Sequence, residues 1–140
     1  METKKLTRGL RNNNPLNIRK SSDVFLGEIE SDDAAFKKFK SMVYGYRAAF
    51  VILGNYNNRG FNTIEKIIKR WAPPSDGNNT ENYIQNVSKR SGVDRDTILM
   101  RYHGSYYIKI VAAMCYSENG IEADIDSVVE GFKLQNRLLI

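Results

Sequence analysis

Glu118 stands just past the most apolar stretch of the chain, Tyr106 to Tyr116, and directly before Asn119-Gly120. Two effects raise the pKa of a carboxyl at the C-terminal end of such a helix. Partial burial disfavours the charged form, and the negative end of the helix dipole repels it. A glutamate kept protonated near neutral pH is what a general acid in glycoside cleavage needs. The plain alternative, an exposed glutamate beside a glycine exit, is the better fit on residue types alone. Glu28 and Glu30 offer a second carboxylate. Strand alternation places both on one face. Either could act as base or nucleophile opposite Glu118, with the separation setting which. Surface charge on a hairpin is the competing reading and the favoured one, and Asp32 and Asp33 fit turn formers.

A second constellation suits sugar binding. Trp71-Ala72-Pro73-Pro74 is followed by Asn78-Asn79-Thr80-Glu81-Asn82-Tyr83. Aromatic rings stack on the apolar faces of pyranoses, and amides bond hydroxyl and acetamido groups. Against this, Trp71 could be core, the prolines could simply break a helix, and Tyr83 could pack. The two readings weigh evenly. The expectation is a largely buried Trp71, with Pro73-Pro74 shaping one wall of a groove. Cys115 and His103 are each the sole residue of their type. An internal disulfide is excluded and a transition-metal site has little to build on. A Cys-His nucleophile would need these two singletons to meet. Neither a metal nor an organic cofactor is implied.

The elements that must position these groups are legible from composition and period. The chain has 140 residues, of which 41% are hydrophobic and 26% charged. That balance fits one soluble globular domain over 1–140 and excludes global disorder. No apolar run approaches the ~18 residues of a membrane span. The segment Met1 to Leu10 is polar and basic with no apolar stretch behind it, which reads as synthesis in the cytoplasm without a secretory signal peptide. Net charge is +5, from 21 basic and 16 acidic residues. The excess favours acidic partners such as nucleic acid, anionic lipid or an anionic wall polymer. It is scattered, however, as on an ordinary solvated surface. No RNP-like, helix-turn-helix or zinc pattern is present, so nucleic acid is disfavoured.

Along the chain, Asn12-Asn13-Asn14-Pro15 predicts turns. Val24 to Leu26, Glu28 to Glu30 and Phe36 to Phe39 predict a small antiparallel hairpin or three-stranded patch. From Ser41 the period becomes helical. A first helix carries Val43, Tyr46, Phe50 and Leu53 and ends at Gly54-Asn55. A second is capped by Asn62, with Glu65 completing a capping box, and stops at Pro73-Pro74. A third starts at Thr80 and exits at Gly92. A helical turn spans Thr97 to Arg101, the apolar helix follows, and an amphipathic helix covers Asp126 to Leu139. The fold class is mostly α (α+β): a helical domain with a small β-hairpin.

Three segments resemble small phage and prophage proteins that serve as virion structural or cell-wall lytic proteins. They are Arg8-Gly9-Leu10-Arg11-Asn12-Asn13-Asn14-Pro15-Leu16-Asn17-Ile18-Arg19, Tyr44-Gly45-Tyr46-Arg47-Ala48, and Arg70-Trp71-Ala72-Pro73-Pro74 with Asn79-Thr80-Glu81-Asn82-Tyr83-Ile84. A second resemblance is to lysozyme-like N-acetylglucosaminidases and lytic transglycosylases. In those enzymes an apolar helix ends in Glu-Ser-Gly, followed by an Asn-containing segment, a β-hairpin and a Tyr-rich helix. Here Asn14 to Lys20, Glu28 to Phe39 and Asn79 to Val87 are similar to the later elements. The helix ending in Glu118 is similar to the first but sits at the other end of the chain, with Asn119 where serine is usual. The resemblance implies a circularly permuted lysozyme-like fold. It implies that the Asn12–Lys20 turn lies beside the end of the apolar helix. It also implies a phage-derived, peptidoglycan glycan-strand cleaving activity. Glu118, Glu28 and Glu30 would be catalytic, and Asn14, Asn17, Trp71, Asn79 and Tyr83 would bind substrate. Partners would be peptidoglycan glycan strands and other virion proteins, met at the cell wall or in a phage particle. The alternative is a non-catalytic virion or wall-binding protein that keeps the fold.

Overall fold

A computed structural model describes residues 6–140. The basic start of the N-terminal stretch, residues 1–5, lies outside the described residues. The chain is mostly helical with one small antiparallel hairpin, as the hydrophobic periods predict. In order it forms α1 (Arg8–Arg11), β1 (Glu28–Ile29), β2 (Lys38–Phe39), α2 (Met42–Asn58), α3 (Ile64–Trp71), a 3₁₀ turn (Pro74–Asp76), α4 (Thr80–Ser91), α5 (Gly104–Asn119) and α6 (Ile125–Lys133). No helix among the described residues is long and apolar enough to cross a membrane.

Helix α2 packs on α6, and α4 on α5. Their apolar faces enclose one core around Tyr46, Phe50, Leu53, Ile64, Ile84 and Tyr107. The buried phenols are satisfied: Tyr46 donates to Cys115 Sγ at 3.4 Å, and Asn57 Nδ2 donates to the Tyr107 hydroxyl at 2.8 Å. His103 precedes α5 and Cys115 lies near its end, a separation of about 18 Å at 1.5 Å of rise per residue. They do not form a nucleophile pair.

The hairpin is shorter than its apolar pieces suggest. Glu28 pairs with Phe39 and Ile29 with Lys38. An isolated bridge, Arg19 to Phe36, adds a fragment of a third strand. Val24 and Leu26 lie instead in an exposed loop. That loop is organised by Lys37, whose side chain is buried. Its ammonium donates to the carbonyls of Asp23 (2.7 Å) and Ser21 (3.4 Å) and to both Glu28 oxygens at 3.1 Å. A buried ammonium is tolerated because its donors are so fully used.

Several boundaries differ from the sequence expectation, each for a local reason. Helix α1 has no counterpart in the hydrophobic pattern; Thr7 Oγ1 caps it by accepting from Leu10 N–H. Helix α2 passes through Gly54-Asn55 to Asn58, because Gly54 is buried against Arg137, where a Cβ would meet Arg137 Cβ at 2.5 Å. Thr63, not Asn62, caps α3 by accepting from Lys66 N–H. Asn79, not Thr80, caps α4; the Thr80 hydroxyl donates to Ala72 O at 2.6 Å and clamps the turn before the helix. Thr97 to Arg101 forms no helix. Helix α6 stops at Lys133, and Gln135 ties the segment beyond it by bonding Phe132 O, Leu138 O and two backbone N–H groups.

The N-terminal turn lies directly against α2 at Gly45. A Cβ there would collide with the Asn13 carbonyl and approach the Pro15 ring at 2.7 Å. Gly45→Ala must therefore push the turn off the helix. Overpacking of this kind costs about 1–3 kcal/mol. The variant is expected to melt at lower temperature with unchanged helical circular dichroism. An unchanged melting temperature would mean that the turn does not depend on this contact.

Candidate functional site

The Asn-rich segment owes its shape to asparagine chemistry. Asn13 and Asn17 have φ of +50° and +53°, in the left-handed region that asparagine tolerates better than most residues. Asn14 is fully buried. Its Nδ2 donates to Ile18 O (3.0 Å) and Lys37 O (2.9 Å), and its Oδ1 accepts from Ile18 N–H (2.8 Å). Both ends of that amide serve the backbone. Asn14 therefore builds the turn and is not available to a substrate, which corrects its assignment as a binding residue.

This turn docks on the last turn of α5. Asn119, buried at the helix end, donates through Nδ2 to Pro15 O (2.7 Å) and Cys115 O (3.0 Å), and its Oδ1 accepts from Thr7 Oγ1 (2.6 Å). The docking places Asn17 on Glu118: Asn17 Nδ2 donates to Glu118 Oε1 at 2.8 Å. From α4, the Tyr83 hydroxyl donates to Glu118 Oε2 at 2.8 Å. Thus Asn17, Tyr83 and Glu118, each singled out by the sequence, meet from three separate parts of the chain. Asn17 Oδ1 is buried without a partner among the described residues.

Glu118 lies at one end of a narrow cleft of about 100 Å³, shared with Asn17, Arg19, Trp71, Asp76 and Asn78. Trp71 is half-buried; its Nε1 donates to Leu16 O at 3.3 Å and its ring meets Tyr56 edge-on, 6.2 Å between centroids. It is therefore neither wholly core nor a free platform: it packs on Tyr56 and also lines the cleft. Pro73 lines a depression, but a different one, beside Phe61 and Arg70 rather than at Glu118. Asn79 is committed to capping α4, and its neighbour Asn78 lines the cleft instead.

The hairpin carboxylates do not face Glu118. Glu28 is engaged by Lys37 and by Phe25 N–H, and Glu30 is exposed at the strand end; neither lines the cleft. The carboxylate that shares the cleft is Asp76, in the 3₁₀ turn after Pro73-Pro74. By composition that turn is a plain polar loop. The available signal was the position of Asp76, shortly after Trp71 and just past a rigid proline pair. Arg19 also lines the cleft without any sequence signal of its own. Among the described residues no group of three or more His, Cys, Asp or Glu could hold a metal ion.

The electrostatics of Glu118 are a contest. Burial raises its pKa, while the donors Asn17 and Tyr83 and the charge of Arg19 pull it down; burial wins and the pKa is raised. Tyr83 is pushed well above the usual phenol range by burial, then by the negative charge and the hydrogen bond of Glu118, so it remains a donor.

Similarity to known proteins bears on origin. No family model matches the chain. It is 42% identical over 132 residues to Protein P5 of Pseudoalteromonas phage PM2, a match covering 90% of this chain and 80% of that protein. The chain belongs to the family of this phage protein. The site above is the property of this chain's own residues.

The raised Glu118 pKa has a consequence for stability. The folded protein holds this proton more tightly than the unfolded chain does. The stabilisation is fully present below the ordinary carboxyl range and is lost as pH rises through the raised folded value. A glutamine at this position would carry no charge to bury. The melting temperature of Glu118→Gln relative to wild type is expected to rise as pH goes from about 3, where Glu118 is protonated in both folded and unfolded states, to neutral. Calorimetry across that range checks it; a difference independent of pH would show that burial does not dominate at Glu118.

Proposed function

We propose that this phage-family protein cleaves the glycan strands of peptidoglycan, with Glu118 as general acid. The single observation that carries the reading is the carboxyl of Glu118, raised in pKa, fixed between Asn17 and Tyr83, and opening on a cleft with one face of Trp71. The neighbourhood of the Asn-rich turn and the end of α5 supports the permuted lysozyme-like arrangement. A phage protein among the relatives supports work on a bacterial envelope or within a virion.

The chemistry follows from the geometry. A protonated carboxyl keeps one O–H to donate while its oxygens still accept. Glu118 gives its proton to the glycosidic oxygen as the bond to the anomeric carbon breaks. The carboxylate left behind is the state that Asn17 and Tyr83 solvate best, because hydrogen bonds to an ionised acceptor are about twice as strong as neutral ones. These donors therefore favour the state after proton transfer over the state before it, which is what catalysis requires. The Asp76 carboxylate supplies negative charge opposite the developing positive charge on the sugar ring, or takes a proton from the water that attacks the anomeric carbon and completes the cleavage. Trp71 presents a ring on which a pyranose stacks.

Three variants test this. Glu118→Gln keeps the shape but cannot donate the acid proton. It is expected to fold and to lose about 10²- to 10⁴-fold of muropeptide release from purified peptidoglycan, read by mass spectrometry. Asp76→Asn should lose less. Tyr83→Phe removes a donor that favours the carboxylate, so the Glu118 pKa rises further and the alkaline limb of the pH–rate profile moves to higher pH. Wild-type protein that binds peptidoglycan and releases no fragments would contradict the enzymatic reading and favour a structural virion protein.

A further inference from the structure

The cleft at Glu118 does not end at Trp71. A second depression of about 210 Å³ shares Asn17, Arg19 and Trp71 with it and continues to Ile52 and Tyr56. Those two residues also wall a third and larger depression, about 470 Å³, on the far side. The three depressions follow one another through shared lining residues, from Glu118 by way of Trp71 and Tyr56 to a basic end. That end is lined by Arg47 and Arg59 of α2 and its C-cap and by Arg137 from the C-terminal segment.

The three guanidiniums are held but not neutralised. Arg47 Nε donates to Leu134 O at 3.2 Å, and Arg137 Nε to Asn55 Oδ1 at 3.0 Å. Arg59 sits over the Phe61 ring, 5.6 Å from its centroid. Among the described residues none of them forms an ion pair, although arginines 8, 90 and 95 all do. Asp23 is the one acidic residue lining this end. For Arg47 and Arg137 the side-chain bonds use Nε, and among the described residues no hydrogen bond or ion pair engages their terminal nitrogens. That is the arrangement for a planar anion, since a guanidinium matches a carboxylate in a two-point fork.

Peptidoglycan differs from an uncharged N-acetylglucosamine polymer in its carboxylates. Alternate sugars carry a lactyl ether, and that lactyl group ends either in a free carboxylate or in a short peptide bearing carboxylates of its own. We propose that Arg47, Arg59 and Arg137 bind a carboxylate borne by a muramic acid unit, farther along these depressions from Glu118, and so select peptidoglycan over uncharged glycans. The inference deepens the glycan-cleaving reading and rests on it. Sugar rings stack along Trp71 and Tyr56, and the acidic substituent reaches the arginines. The substituent sets which strand binds, and Glu118 sets what happens to it.

Binding and cleavage are measured separately so that the two readings fail separately. Binding is read by titration calorimetry on Glu118→Gln protein, with three soluble glycans of equal length. One bears peptides, one has had its peptides removed by an amidase and keeps only lactyl carboxylates, and one is a chito-oligosaccharide. A carboxylate-bearing glycan is expected to bind more tightly than the chito-oligosaccharide. The first two arms identify the source: equal affinity assigns the lactyl group, and a preference for the first assigns the peptide. Arg59→Gln with Arg137→Gln is expected to reduce the ratio of charged to uncharged affinity by about tenfold, the scale of one charge-assisted hydrogen bond. High salt should shrink the same ratio in the Glu118→Gln protein. Equal affinity for all three glycans, or a ratio unmoved by the arginine changes, overturns the inference and leaves Glu118 untouched. Selective binding by a wild-type protein that cleaves nothing overturns the enzymatic reading and leaves a carboxylate-reading wall binder.

Discussion

The side chain of Asn119 holds two distant parts of the chain together. It bonds Pro15 O and Thr7 Oγ1 on one side and the Cys115 carbonyl of its own helix on the other. Leaving a buried partner of such bonds orphaned costs about 1–3 kcal/mol. Through them the left-handed turn at Asn17 lies over the last turn of α5, and only there can its amide reach Glu118. A serine at this position would be too short to span all three partners. The amide, with a donor end and an acceptor end, is thus the device that closes this particular arrangement.

The site then works as a balance of opposing effects at one carboxyl. Burial favours the neutral acid; two donors and Arg19 favour the anion. Either set alone would give a group fixed in one state. Together they leave a carboxyl whose neutral form burial favours and whose anion two donors and Arg19 stabilise. The Arg8–Asp33 pair and the buried Lys37–Glu28 contact serve a different end. They lock the hairpin against the N-terminal segment, with Asp33 accepting from Arg8 at 2.6 and 2.7 Å and from the backbone of Ala35 and Phe36. Stacking of the Arg8 guanidinium over the Phe36 ring, 4.4 Å from its centroid, adds to that lock. Glu28 is therefore structural and Glu30 is exposed at the strand end, so neither glutamate lines the cleft.

Hydrophobic period made the helices legible. Ile64, Ile67 and Ile68 and the stripe through Ile110, Val111 and Met114 are buried as their spacing requires. Glu118, Asn17 and Tyr83 were legible as chemistry and do converge. The caps of α3 and α4 fall one residue from their expected places, since Asn62-Thr63 and Asn79-Thr80 each offer two capping side chains and tertiary contacts decide which one caps. Asn14 could not be told from Asn17, because both are asparagines in one turn and only the fold shows which amide the backbone consumes. Glu28 pairs with Lys37, a contact that strand alternation does not encode. Asp76 and the three arginines were invisible as a group: they come from α2 and its C-cap, the 3₁₀ turn and the C-terminal segment, and no spacing links them.

The measurement closest to the centre of this account is a carbon-13 NMR titration of the Glu118 side-chain carboxyl in the folded protein. The account requires a midpoint above the ordinary glutamate range, rising further when Tyr83 is changed to phenylalanine. A midpoint at or below that range, unmoved by Tyr83→Phe, would contradict it, because burial would then not favour the neutral acid at Glu118.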